Sequence, residues 1–115
     1  MIRARTLAGA LAALGATAAA AIPAQALQSG HAAARHSVTL KNVRFHPGTL
    51  TIKRDDTVTW LWRDGSIAHN VTGGGFKSRT MSKGSFTVRF SRKGTFNYHC
   101  TIHVSFGMKG KIVVR

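Results

Sequence analysis

Residues 56–62 read DTVTWLW and carry large apolar side chains at Val58, Trp60 and Trp62, at every second position. Successive side chains of a β-strand point to opposite faces, so these three residues share one face. The alternation predicts a strand with one buried face, and the simplest place for both tryptophans is the core.

The same period of two recurs along the chain from His36 onward. Turn-forming sequences such as His46-Pro47-Gly48, Asp64-Gly65-Ser66 and Gly73-Gly74-Gly75 separate these stretches, and no helical pattern follows residue 30. About six to eight short strands at this spacing predict an all-β fold, a Greek-key β-sandwich or barrel. The alternating residues are Val38, Leu40, Val43, Phe45, Leu50, Ile52, Phe86, Val88, Phe90, Phe96, Tyr98, Cys100, Ile112 and Val114.

The first 26 residues have the pattern of a secretory signal peptide. A start with two arginines precedes an uncharged run over residues 6–22, and Ala24-Gln25-Ala26 follows as a cleavage signature. An uncleaved membrane anchor is the alternative, but the run is short and rich in alanine. We therefore expect a signal peptide over 1–26, a flexible tail over 27–35 and one domain over 36–115. The protein would be secreted or periplasmic, with no membrane span after cleavage.

Composition limits the chemistry. The 115 residues include 17 Lys and Arg against 3 Asp and Glu, for a formal charge of +14, and a single Cys. One Cys excludes an internal disulfide and a four-thiolate zinc site. Export and the scattered placement of Lys and Arg weigh against nucleic acid as a partner, so the charge favours proteins with acidic docking surfaces. We expect a monomer.

A possible metal site is concentrated near the C-terminus, where Cys100, His103 and Met108 follow the spacing C-x2-H-x4-M. A thiolate, an imidazole and a thioether together form a soft, mixed set of ligands, which suits copper. Such a site requires a second imidazole from elsewhere in the chain. His69 lies in the loop after the tryptophan strand, where a β-sandwich could bring it beside Cys100.

At these residues the chain resembles the cupredoxins, the small blue-copper proteins, and above all plastocyanin and pseudoazurin. The resemblance extends over nearly the whole domain and includes Phe45-His46-Pro47, residues 56–60, His69-Asn70-Val71, residues 94–96 and residues 100–114. It implies that His69, Cys100 and His103 are equatorial ligands of one copper ion, with Met108 as the axial ligand. It also implies that Asn70 braces the ligand loop.

The function implied by this resemblance is a shuttle that carries single electrons between redox partner proteins by cycling between Cu(I) and Cu(II). His103 would lie at the surface beside Val104 and Phe106, which a partner could contact. Ile102 departs from the family, because a proline often precedes the loop histidine. His99 should point to the opposite side of its strand from Cys100 and is not expected to be a ligand.

Other interpretations remain open at this stage. Cys100 could be a buried apolar thiol, Met108 a core residue and His69 an isolated loop histidine. The same four ligands would also suit a copper carrier that delivers the ion to another protein, and an empty site would suit a metal-free binding module. We do not expect an enzyme, because the three acids all lie within residues 54–64 and no third group is evident that could orient a Cys–His pair.

Overall fold

A computed structural model of the chain describes residues 32–115. The predicted signal peptide over 1–26 and most of the predicted tail over 27–35 lie outside the described residues. Within residues 32–115, no helix has the length and apolar character needed to cross a bilayer.

Eight strands make up the described part of the chain, and they form two four-stranded sheets. In chain order the strands are β1 Arg35–Lys41, β2 Arg44–His46, β3 Thr49–Ile52, β4 Thr57–Trp62, β5 Thr72–Gly73, β6 Gly84–Arg89, β7 Gly94–His99 and β8 Lys109–Val114. The first sheet has the order β2-β1-β4-β6 and the second has the order β3-β8-β7-β5. The predicted all-β sandwich of six to eight strands is confirmed.

Each sheet contains one parallel pair of strands and two antiparallel pairs. β1 pairs with β4 in parallel and with β2 in antiparallel orientation, and β4 pairs with β6 in antiparallel orientation. In the second sheet β8 is parallel to β3 and antiparallel to β7. This pairing brings the ends of β4 and β7 and the start of β8 to the same end of the sandwich, where the loops that carry the predicted ligands begin.

Trp60 lies at the centre of an aromatic core. Its ring centroid is 5.3 Å from that of Tyr98, edge to face, and 5.6 Å from that of Phe76. Trp60 is fully buried and Trp62 nearly so, which confirms that both tryptophans belong to the core. Burial also raises the pKa of the Tyr98 hydroxyl to about 12.

Three short segments differ from the sequence-based expectation. Val43 was expected to alternate with Phe45 along a strand, but it lies in a turn with a φ of 56°, and β2 begins only at Arg44. His46 was expected in a turn, yet it ends β2, where its Nε2 donates to the Lys41 carbonyl at 2.9 Å. The glycine loop is partly a strand, because Gly73 pairs with Tyr98 in the second sheet.

Asp56 fixes the start of the first sheet. β1 begins at Arg35, one residue ahead of the predicted boundary. Asp56 Oδ1 accepts the Ala34 N–H at 2.8 Å. Its Oδ2 lies 3.0 Å from Nε2 of His36 and also 3.0 Å from the backbone nitrogen of Lys53, whose N–H it accepts. Burial raises the pKa of this carboxyl, but the hydrogen bonds from Ala34, His36 and Lys53 outweigh that effect and lower the pKa to about 2.

Candidate metal centre

Three of the four predicted ligands have their donor atoms together at one end of the sandwich. The Cys100 Sγ is 3.6 Å from Nδ1 of His103 and 3.9 Å from Nδ1 of His69, and the two Nδ1 atoms are 3.1 Å apart. All three donor atoms lie within 4.8 Å of one another. A metal bound at ~2.0–2.3 Å from three ligands in a plane places the ligand atoms about 3.5–3.8 Å apart. The separations of 3.1, 3.6 and 3.9 Å depart from that range by only a few tenths of an ångström, so the cluster fits a single metal ion.

The chain reaches this cluster through two loops. His69 follows β4, and its backbone pairs with Met81 through N–H···O bonds of 2.9 and 3.1 Å. Cys100 follows β7, and His103 lies in the loop between β7 and β8. His69 and Cys100 are fully buried, and His103 is half-buried.

Met108 ends the same loop and is fully buried. The Cys100 N–H donates to the Met108 carbonyl at 3.1 Å, and the Met108 N–H donates to the His103 carbonyl at 3.3 Å. The backbone therefore places the thioether residue beside both loop ligands. A 3₁₀ turn over Val104–Phe106 precedes it and ends at Gly107, whose φ of 86° favours glycine.

Asp64 holds His69 from the side away from the cluster. The His69 Nε2 donates to Asp64 Oδ2 at 2.7 Å, so its Nδ1 is the nitrogen left free to bind a metal. Burial raises the pKa of the Asp64 carboxyl, but hydrogen bonds from His69 and from the N–H groups of Val43 and Asn42 outweigh it and hold the pKa below its usual value.

Sequence reasoning missed this residue and concluded that no acid could orient a Cys–His pair. The structure overturns that step, because Asp64 is in direct contact with His69. The available signal was the position of Asp64 in the same loop, five residues before His69, but its sequence context, Asp-Gly-Ser, is that of an ordinary turn.

Asn70 joins the two loops that carry ligands. Its Nδ2 donates to the Thr101 hydroxyl at 2.8 Å and to the Thr80 hydroxyl at 3.0 Å, and its Oδ1 accepts the Thr101 N–H at 3.1 Å. These contacts tie the residue after His69 to the residue after Cys100. Within residues 32–115, the other histidines lie outside the cluster: His99 is half-buried on the alternate side of its strand, His36 contacts Asp56 and His46 contacts the Lys41 carbonyl.

The surface around His103 is apolar. Ile102, Val104 and Phe106 have exposed fractions of 46%, 41% and 71%, and the centroid of the Phe106 ring is 6.2 Å from that of His103. We call these three residues with His103 the apolar patch. A recess of about 350 Å³ lies beside it, lined by Asn42, Val43, Arg44, His103 and Phe106.

The chain matches known copper proteins over its whole described length. Residues 32–115 match the sequence profile of the copper-binding proteins of the plastocyanin/azurin family. Amicyanin-alpha of Methylorubrum extorquens is 35% identical over 122 residues, covering 98% of this chain and 99% of that protein. Chloroplastic plastocyanin of Tetradesmus obliquus is 31% identical over 85 residues, covering 62% and 58% of the two chains.

Solved structures agree with these sequence matches. The reduced Cu(I) form of an amicyanin mutant at pH 4 aligns with a TM-score of 0.63 and 32% identity, covering 70% of this chain and 82% of that one. A pseudoazurin from Sinorhizobium aligns with a TM-score of 0.60 and 27% identity, covering 71% and 74%. An oxidised amicyanin mutant aligns equally well, with a TM-score of 0.62 and 32% identity over 69% and 80%.

Proposed function

The chain belongs to the plastocyanin/azurin family of copper-binding proteins, and from that premise we propose that His69, Cys100, His103 and Met108 hold one copper ion used to carry single electrons between redox partner proteins. The observation that supports this most is the convergence of two imidazole nitrogens and one cysteine sulfur within 4.8 Å of one another. Copper supplies a one-electron couple there, between Cu(I) and Cu(II).

The residues around the ligands suit rapid transfer, because they hold His69 and the backbone of Cys100 in place. Asp64 and the Met81 backbone fix His69, and the Met108 carbonyl fixes the Cys100 backbone. Ligands that stay in place when the charge of the ion changes need little rearrangement, and this lowers the barrier to electron transfer. His103 is the half-exposed ligand, so its ring edge is the route by which an electron reaches the surface.

The partners are proposed to be redox proteins with acidic docking surfaces, and the protein is proposed to act as a monomer. The apolar patch offers the uncharged contact, while exposed basic residues stand at the same end, namely Lys41 at the end of β1, Arg44 at the start of β2 and Arg63 just after β4. Charge complementarity of this kind speeds encounter and makes the association rate fall as salt rises.

We infer that the protein performs no substrate turnover of its own. Cys100 is fully buried and its Sγ faces the two histidines, so no substrate has a route to the thiol. This supports electron carriage over catalysis, even though Asp64 contacts His69 and His69 lies beside Cys100, so that an acid does orient a Cys–His pair. The proposed site of action is outside the cytoplasm, in the periplasm or the medium, after cleavage following Ala26.

The test is the visible spectrum of the purified protein with one equivalent of Cu(II), measured alongside Cys100→Ser and His99→Gln. We expect an intense blue absorption in the parent and in His99→Gln, because His99 lies outside the cluster, and its loss in Cys100→Ser. The circular dichroism of all three should remain that of a β fold. A colourless parent, or a blue Cys100→Ser protein, would refute the ligand assignment.

A second measurement distinguishes the shuttle from a copper carrier. The loaded protein is cycled between oxidation states in the presence of an excess of a copper chelator. A shuttle should keep its copper in both states, whereas rapid loss of the ion from one state would favour delivery of copper to another protein.

A further inference from the structure

The end of the sandwich opposite the metal cluster has a surface of its own. The pairing of Arg35 with Thr57 and of Thr57 with Arg89 aligns the strand ends there. Gly94 pairs with Val114 at the same end of the second sheet. A backbone bond then links the connection after β3 of the second sheet to the end of β6 in the first, since the Asp55 N–H donates to the Phe90 carbonyl at 2.6 Å.

Basic side chains crowd this end. We call the set the distal basic face, and all of its members are exposed. They are Arg35, Lys53, Arg54, Arg89, Arg92, Lys93 and Arg115.

Little negative charge offsets the distal basic face. Asp55 forms an exposed ion pair of 3.1 Å with Arg89, and exposed pairs of this kind are weak. Asp56 is buried, with an exposed fraction of 2%, and its carboxylate accepts the hydrogen bonds from Ala34, His36 and Lys53. The face therefore presents a broad positive potential to whatever lies opposite it.

The distal basic face also differs from the copper end in its apolar content. The large apolar residues of the described chain that are strongly exposed are Ile67, Ile102, Val104 and Phe106, and all four lie in the loops at the copper end. A recess of about 150 Å³ adjoins the distal basic face, and Arg89 and Arg92 line it together with the less exposed rings of Phe76, Phe90 and Phe96.

We propose that the distal basic face binds the anionic phospholipid headgroups of a bilayer surface. Clusters of four to eight Lys and Arg residues bind anionic lipid where they flank a membrane helix or lie on an amphipathic helix, and the distal basic face presents seven such residues on strand ends and turns. Five of the seven are Arg, whose guanidinium group suits phosphate. The recess offers two such groups beside an apolar lining, which fits a headgroup and the first carbons below it.

Two other occupants fit less well. A protein partner usually requires exposed aromatic or aliphatic anchors at the centre of its interface, and this face has none. Single-stranded nucleic acid requires exposed rings on which bases stack, and duplex DNA requires an element that enters a groove. The distal basic face is built from strand ends and turns and offers neither.

Binding through this end leaves the copper end free. The apolar patch would point away from the bilayer, because it lies at the opposite ends of the same strands. A bilayer-bound molecule could therefore still meet a redox partner through His103. The lipid interaction does not depend on the metal, so it can be tested without copper.

The test measures cosedimentation of the purified protein with vesicles of phosphatidylglycerol and phosphatidylcholine and, in parallel, of phosphatidylcholine alone. The second kind of vesicle reports any binding that does not require anionic headgroups. We expect preference for the anionic vesicles at low salt and its loss at high salt. The variant Arg92→Gln/Lys93→Gln/Arg115→Gln should weaken binding to anionic vesicles about tenfold or more.

A matched control separates this surface from net charge alone. Lys41→Gln/Lys83→Gln/Lys109→Gln removes the same charge from exposed positions at the copper end, where β1 ends and where β6 and β8 begin, and it should weaken binding no more than about threefold. Phe106→Ala should leave binding unchanged. Thermal unfolding of each variant verifies that it is folded.

Several results would overturn the proposal. One is equal binding to both kinds of vesicle, and another is an equal loss of binding in the two triple variants. A third is loss of binding in Phe106→Ala, because that result would mean that the apolar patch inserts into the bilayer. A distal variant that loses affinity for a duplex oligonucleotide but not for anionic vesicles would assign the face to nucleic acid instead.

Discussion

Asp64 Oδ2 lies 2.7 Å from Nε2 of His69, and the same carboxylate accepts the backbone N–H groups of Asn42 and Val43 at 2.9 and 3.0 Å. One side chain thus supports a predicted copper ligand and a turn at the molecular surface. Asn42 and Val43 both have positive φ values, 55° and 56°. For a β-branched residue such as valine this conformation is strained, and the two hydrogen bonds to Asp64 offset the strain.

Asp64→Asn should raise the reduction potential of the copper-loaded protein. The negative charge favours Cu(II) over Cu(I), and its removal at about 7 Å with an effective dielectric constant of about 20–40 corresponds to roughly 50–100 mV. The asparagine oxygen can still accept the His69 proton. Voltammetry of the parent, Asp64→Asn and Asp55→Asn tests this, since Asp55 is an exposed acid at the opposite end. Equal potentials in all three would contradict the assigned role.

Phe106→Ala should slow electron transfer to an acidic partner protein by about tenfold, because it removes an exposed aromatic contact from the patch beside His103. The potential should stay constant, since Phe106 is 71% exposed and contributes little to the packing around the ligands. Stopped-flow oxidation by a partner protein and by a small inorganic oxidant separates the two effects. A rate that falls equally with both oxidants would mean that the site, and not docking, had changed.

Gly73→Ala should destabilise the fold by about 1–3 kcal/mol. A Cβ at this position would lie 2.5 Å from the Phe76 ring, which packs in the aromatic core. Gly74→Ala is the matched control, because nothing lies within 4 Å of a Cβ there, and its free energy of unfolding should change by less than about 0.5 kcal/mol. Urea titration of both variants measures the difference, and similar values for the two would contradict the packing described around Phe76.

The stability of the domain should fall as the pH drops from about 4 towards 2, in part because of Asp56. Its pKa is about 2 in the folded chain and 3.8 as the ordinary value, so folding favours the ionised form. The stabilisation is present above pH 3.8 and is lost as the pH falls through the folded pKa; its size is on the order of 1–2 kcal/mol.

Asp56→Asn should therefore be less stable near neutral pH and should lose less stability on acidification. Asp55→Asn provides the comparison, because that carboxylate is exposed and only pairs with Arg89 at the surface. Unfolding free energies measured from neutral pH to pH 2 give both profiles. Parallel profiles for the parent and Asp56→Asn would show that Asp56 does not contribute to the acid sensitivity.

Alternation of apolar residues was enough to predict the sandwich, because burial on one face of a strand leaves a direct pattern in the sequence. Trp60, Trp62 and Tyr98 are all in the core for this reason. The spacing of Cys100, His103 and Met108 was equally direct, since all three belong to one loop. His69 could be added to this set only by assuming the β-sandwich fold, and the structure places its Nδ1 3.9 Å from the Cys100 Sγ.

Contacts between distant loops were not predictable in the same way. The hydrogen bonds from Asn42 and Val43 to Asp64 join residues that are 22 and 21 positions apart, and no local sequence pattern predicts them. Val43 was assigned to a strand because it alternates with Phe45, but a carboxylate from another loop holds it in the left-handed region. The position of Gly73 in β5 likewise depends on its pairing partner, Tyr98, in another strand.

The shared carboxylate of Asp64 limits how this protein could be redesigned for a new partner. Lengthening or shortening the β1–β2 connection would displace Asn42 and Val43 from Asp64 and would release the residue that orients His69. The length of the β1–β2 connection, whose residues Asn42 and Val43 line the recess beside the apolar patch, therefore affects the reduction potential of the proposed copper centre. Side chains such as Arg44, which share the recess without bonding to Asp64 in the described structure, are the positions where recognition can be changed independently.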